Sequence, residues 1–263
     1  MGRATKLRIT KRARDTLRQL DCLLHEAYGA PEHLLGNKSD PLDEAIYIIL
    51  SFQTDLDRFK FTWQQLREAF PRWEDLARAP LARIKEVLRA GGLQEQKART
   101  LKKLLQAVKT QSGSYSLDFL YDIEDAKAER VLIRLPGLSW KGARCVLLYS
   151  LDRPVFPVDG NTFRILKRVG VLSLNAVYRR RSLHDGLQEA VETTSRKRFH
   201  INLVIHGQRM CLPRTPHCCE CAARSICSMR GVARELRTAV RQNLDAAGIG
   251  NATGEAESDA GAI

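Results

Sequence analysis

Five of the seven cysteines, Cys211, Cys218, Cys219, Cys221 and Cys227, fall within 17 residues. No other feature constrains the fold as strongly. Thiols this close in sequence converge on one object, and the chain around them must be shaped to hold it. The other two, Cys22 and Cys145, stand among apolar residues on helical stretches and read as small hydrophobes. An odd count without a secretory signal argues against a disulfide framework and for a soft metal centre. Read as Cys211-x6-Cys218-x2-Cys221-x5-Cys227, the gaps are short and unequal. Structural zinc sites usually set two short knuckles on a longer arm. A compact loop wrapped round four thiolates favours an iron–sulfur cluster over zinc, with Cys219 left over.

The rest of the chain reads as helix. Leu17, Leu20, Leu23, Leu24 and Ala27 recur at helical spacing and predict a helix over 11–28. Asp40-Pro41-Leu42-Asp43 is a helix start, with a capping Asp and Pro in the first turn. The helix that follows contains the longest apolar run, Ala45 to Leu50, far short of the ~18 residues a membrane span needs. Phe59, Trp63, Leu66 and Phe70 continue the rhythm to Pro71, and a short helix near 80–90 stops at Gly91-Gly92. A helix over 95–111 carries Lys97, Arg99, Lys102 and Lys103, read as one basic face. Arg153 to Val158 looks extended, but its two prolines argue against a central strand. The expected class is all-α.

The charge points to an anionic partner. There are 43 Lys and Arg against 30 Asp and Glu, a net +13. Residues 245–263 hold four acidic residues and no basic ones, so 1–244 carries 43 basic against 26 acidic residues, or +17. Residues 236–263 are expected to form a disordered acidic tail. The runs Arg179-Arg180-Arg181 and Arg196-Lys197-Arg198 read as solvated faces open to phosphate. With no apolar signal core, a cytoplasmic monomer is expected, nucleoid-associated if the anionic partner is DNA.

Leu135-Pro136-Gly137-Leu138-Ser139-Trp140-Lys141-Gly142 lies between two helical stretches. Pro136 and Gly137 force a tight turn, and the N–H groups opening the second helix suit a phosphate oxygen. A lone Lys141 would ordinarily be a solvated charge. Asp159 stands immediately before a helix running to about Val169 and reads first as its cap.

Taken together, the longer string around Pro136-Gly137, the pair Lys141 and Asp159, and the cysteine spacing after His206-Gly207 resemble the endonuclease III-like helix-hairpin-helix DNA glycosylases. The likeness covers about 35–230. It implies a six-helix barrel with the hairpin over 34–152, and a lobe of 1–33 with 153–235 holding a [4Fe–4S] cluster on Cys211, Cys218, Cys221 and Cys227. It implies that Lys141 is the nucleophile, aided by Asp159, in base excision from damaged duplex DNA. Attack on deoxyribose C1′ releases an oxidised pyrimidine, and β-elimination through the Schiff base nicks the strand. Arg144, one turn along from Lys141, is expected to help keep the amine neutral. Gln53 and Leu93 match the family positions that enter the duplex, Asn161 a third, and Gly137 and Ser139 belong to the phosphate-binding hairpin. Ser139 stands where the family has a second glycine; if that position needs positive φ, Ser is strained there. Gly160-Asn161 after the Asp looks like the adenine-glycosylase branch, so a monofunctional or mismatch-directed glycosylase is the alternative. A non-catalytic iron–sulfur DNA-binding protein is the second alternative.

Overall fold

A helix covered by its neighbours on every side loses water from all its faces. Two segments are buried in this way in the computed structural model, which describes residues 8–31 and 36–246. All regular structure among the described residues is helical. The chain divides into two compact units, His33–Pro157 and Met1–Glu32 with Val158–Ile263.

In the first unit the all-round helix is α2, Pro41–Ser51, with Leu42, Ala45, Ile46, Ile48, Ile49 and Leu50 all buried. Asp40 caps it through the Asp43 amide at 2.7 Å. Around it stand α3 (Leu56–Ala69), α4 (Trp73–Arg78), α5 (Leu81–Val87), α6 (Gln94–Ser112), α7 (Asp125–Arg134) and α8 (Trp140–Tyr149). Helix α2 packs on α3, α6 and α8, and α7 packs on α8. One continuous apolar core runs from Leu42 to Val155.

The second unit contains α1 (Lys11–Tyr28), α9 (Gly160–Val169), α10 (Arg181–Ala190), α11 (Arg196–Arg209) and α12 (Arg234–Ala246). Here the buried helix is α11, covered from Phe199 to Gly207. It packs on α1 and α9. Gly207 makes that close approach possible: a Cβ there would stand 2.5 Å from the Cβ of Asn161.

Several expectations need correction. Disorder was expected from 236, yet α12 continues to Ala246. Its Leu236 and Val240, one turn apart, pack on Met229 and Val232, which gives this stretch an apolar face. Residues 247–263 lie outside the described residues. Cys22 is exposed, while Cys145 is buried as expected. Lys97 is not on a basic face but buried, because its spacing to Leu101, Leu104 and Val108 sets it on the apolar side of α6. Lys102 donates to the Ala79 carbonyl at 2.6 Å. The arginine runs are partly structural: Arg196 donates to the carbonyls of Val191 and Gln188, and Arg198 to Asp21.

The hairpin joins α7 to α8. Gly137 has φ +88°, and a Cβ there would meet Thr100 at 2.4 Å and Ile49 at 2.9 Å. Ser139 is not strained. Its φ is −101°, and its hydroxyl caps α8 by accepting the Gly142 amide. Only the first of the two positions therefore requires glycine. Gly137→Ala should destabilise the protein by about 2 kcal/mol or more, and Ser139→Gly by no more than about 0.5 kcal/mol. Urea unfolding of both variants checks this; equal losses would show the second position to be as restrictive as the first.

Candidate active site and cysteine pocket

Lys141 is the second residue of α8 and half-buried. Arg144, the expected aid, is 1% exposed and ion-paired with Glu129 at 2.6 Å, so its charge is answered within the unit. The Lys141 charge acts on Glu44, on buried α2. Its carboxylate accepts from the Asn37 amide at 2.6 Å and the Lys38 backbone N–H at 2.7 Å. Burial pushes the Glu44 carboxyl up to about 7; those two hydrogen bonds and then the Lys141 charge pull against it. Glu44 did not emerge from the sequence reading, although a carboxylate inside an uninterrupted apolar helix was the available signal.

Asp159 belongs to the other unit, where it caps α9. Its Oδ1 accepts the Thr162 amide at 2.7 Å, and its Oδ2 accepts from the Asn161 side-chain amide at 3.1 Å. Asn161 in turn accepts from Arg164 at 2.8 Å, and Arg164 also donates to the carbonyls of Gly207 and Cys211. The carboxylate is thus held in orientation from both oxygens. Asn161, expected at the DNA, also serves as the middle of this chain.

Gln53 and Leu93 share an uncommon backbone. Both are exposed, and both have positive φ, 51° and 50°, which side-chain-bearing residues rarely adopt. Strain of this kind costs on the order of 1–3 kcal/mol and gathers at functional positions. Leu93, an apolar side chain at a loop tip, is 42% exposed.

The cysteines of the 211–227 loop surround a pocket. Cys211, Cys218, Cys221 and Cys227 line it with Arg168, His206 and Met229, whereas Cys219 does not. No three His, Cys, Asp or Glu side chains among the described residues gather tightly enough to grip one ion. Arg168 donates to the Cys211 sulfur at 3.2 Å and to the carbonyls of Leu212 and Pro213. His206 Nε2 lies 3.5 Å from the Cys221 sulfur, with its Nδ1 2.9 Å from the Tyr28 hydroxyl. Burial, then the charge of Arg164, brings the His206 imidazole down to about 4, so it is neutral at pH 7. Burial pushes the Cys221 thiol up to about 12 and the Cys227 thiol up to about 11, and the neighbouring thiols add to this. A set of buried thiols is stable as thiolates only beside a compensating positive charge.

A family model described as HhH-GPD superfamily base excision DNA repair protein matches residues 46–184. A candidate DNA glycosylase of Arabidopsis thaliana is 30% identical over 129 residues, 49% of this chain and 44% of that one. The chain thus spans less than half the length of that relative. Endonuclease III of Bacillus subtilis is 24% identical over 196 residues, 72% of this chain and 81% of the relative. Among solved structures, a non-covalent endonuclease III–DNA complex aligns at a TM-score of 0.72 and 20% identity, over 87% of this chain and 98% of that one. A trapped endonuclease III–DNA covalent intermediate aligns at 0.70 and 21% identity, over 87% and 99%.

Glu44 sets a pH dependence. Its folded value, about 7, lies above the ordinary 4.5, so the folded chain keeps a proton that the unfolded chain loses. Its contribution to stability is complete below pH 4.5 and is lost as pH rises through about 7. Across that window wild type should lose about 3 kcal/mol relative to Glu44→Gln. Unfolding free energies of the two proteins at pH 4.5, 6 and 8 decide the point; parallel curves would remove Glu44 as the cause.

Proposed function

The chain belongs to the HhH-GPD superfamily of base excision DNA repair proteins, and we propose that it is a bifunctional DNA glycosylase with AP-lyase activity on oxidised pyrimidines. The observation that carries this reading is the placing of Lys141 in the first turn of α8, directly behind the Gly137 turn. The positive end of a helix disfavours a cation, which suits the neutral amine the reaction needs.

In this reading the α8 N-terminus binds backbone phosphate, and Gln53 and Leu93 enter the opened duplex. The Lys141 amine forms a bond to deoxyribose C1′ as the C1′–N bond to the base breaks, the electron pair leaving with the base. Asp159, oriented by Thr162 and Asn161, stabilises the positive charge that builds up on the sugar. Loss of the ring oxygen from C1′ gives the Schiff base. Removal of a C2′ proton then expels the 3′ phosphate, which nicks the strand.

Cys211, Cys218, Cys221 and Cys227 would hold a [4Fe–4S] cluster. Their lining of a single pocket supports this reading. When bound, the cluster supplies four metal–thiolate bonds that tie the 211–227 loop together.

Borohydride trapping on a panel of lesion-bearing and mismatched duplexes tests the reading. Wild type should give a covalent adduct with an oxidised-pyrimidine duplex, and Lys141→Ala none. Asp159→Asn should slow base release by on the order of 10²–10³. Base release without an adduct, centred on mismatched adenine, would favour the monofunctional alternative that Gly160-Asn161 resembles. Binding with no base released from any duplex would favour the non-catalytic alternative. Iron and labile sulfide at four each per chain are expected on analysis; zinc in their place would overturn the cluster.

A further inference from the structure

Lys97 is a cation inside the first unit, 3% exposed and facing no carboxylate. Its three ammonium hydrogens meet three oxygens: the Leu50 carbonyl at 2.8 Å, the Thr54 hydroxyl at 2.6 Å and the Gly91 carbonyl at 2.8 Å. An ammonium has three donors and no acceptor, so this shell is complete. The oxygens come from two separate places, the end of α2 with the turn that follows it and the turn before Leu93. Leu50 and Thr54 bracket Gln53, and Gly91 stands two residues before Leu93. The Thr54 hydroxyl also donates to Gly91 at 2.7 Å, a direct second link between the turns. The backbone N–H of Lys97 bonds the carbonyl of Leu93 itself at 2.9 Å.

Both turns present a residue with strained positive φ, and each is fastened within a few residues of that strain. A strained backbone persists only where its surroundings over-determine it. A buried charge is costly unless it is fully hydrogen-bonded, which makes the shell difficult to rearrange. Resting on the glycosylase reading above, we propose that Lys97 is the positioning residue that fastens the Gln53 turn to the Leu93 turn, so that the two side chains enter the duplex as one rigid wedge. Lys97 itself touches no DNA. Its role is to keep the two tips at a fixed separation, together with the Thr54–Gly91 hydrogen bond.

The proposal separates duplex opening from chemistry. Lys97→Met keeps the aliphatic stem and removes the charge. Base release from a paired lesion should fall by on the order of a hundredfold, the scale expected of a misplaced positioning element. Release of the same lesion from an unpaired bubble, where nothing has to be wedged open, should fall by less than about threefold. In a duplex carrying an abasic-site analogue opposite 2-aminopurine, the full-length wild type should raise the fluorescence. Leu93→Ala and Lys97→Met should each abolish that rise. Circular dichroism establishes that the variant is folded. If Lys97→Met does not fold, Thr54→Val removes both hydroxyl links and should lower the paired-to-bubble ratio at least about fivefold by the same logic. Equal losses on paired and bubble substrates, or an unchanged fluorescence rise in the folded variant, overturn the clamp. Absence of any rise with wild type overturns the duplex-opening reading itself, and the clamp with it.

Discussion

Each unit is organised about a helix buried on every side, α2 in one and α11 in the other. Burying a Leu or Ile side chain contributes about 1.5–3 kcal/mol, and five such side chains lie on α2 alone. The same burial leaves polar atoms on these helices without water, and an unpaired one costs about 1–3 kcal/mol. The protein supplies partners for several of them. Glu44 is met by Asn37 and the Lys38 amide, and the Leu50 carbonyl by Lys97. Asn202 donates to the Leu24 and Gly29 carbonyls, and His206 lies between Tyr28 and Cys221.

Helix α9 ties the second unit together. Its cap is Asp159; Arg164 reaches the carbonyls of Gly207 and Cys211, and Arg168 reaches the Cys211 sulfur and the next two carbonyls. One rigid element therefore holds the candidate carboxylate at one end and the start of the cysteine loop at the other. Loosening of the 211–227 loop would be felt at Asp159 through the Arg164–Asn161 link. A cluster with no part in the bond-breaking steps can still matter to them in this way.

Local chemistry was legible in the sequence, and long-range pairing was not. Asp40 and Asp159 announce helix starts because an N-cap is a contact within three residues. The all-α class follows from periodicity. Strain at Ser139 stayed open in the sequence because a family pattern with glycine does not say whether φ is positive; the cap at −101° needs only a side-chain oxygen. Lys97 was misread because its charge was weighed and its phase on α6 was not. Its spacing to Leu101, Leu104 and Val108 placed it inward, but its three partners lie up to 47 residues away in sequence and no local rule names them. The pairing of Arg144 with Glu129 is likewise a contact between two helices.

The same pairing refines the meaning of the charge. A surplus of +17 over residues 1–244 is a property of the sequence, but its donors are not all free to meet phosphate. Arg144 is committed to Glu129, Arg168 to the Cys211 loop, Arg196 to helix-end carbonyls and Lys97 to two turns. The Lys97 ammonium binds three neutral oxygens, so its charge is not cancelled and still adds to the field that attracts a polyanion, while its hydrogen-bond donors are occupied. Attraction and contact therefore separate. The field draws on the whole surplus, whereas counterion release on binding counts only the phosphates actually touched. The cations buried in the structure organise the turns, caps and loop that present the exposed ones.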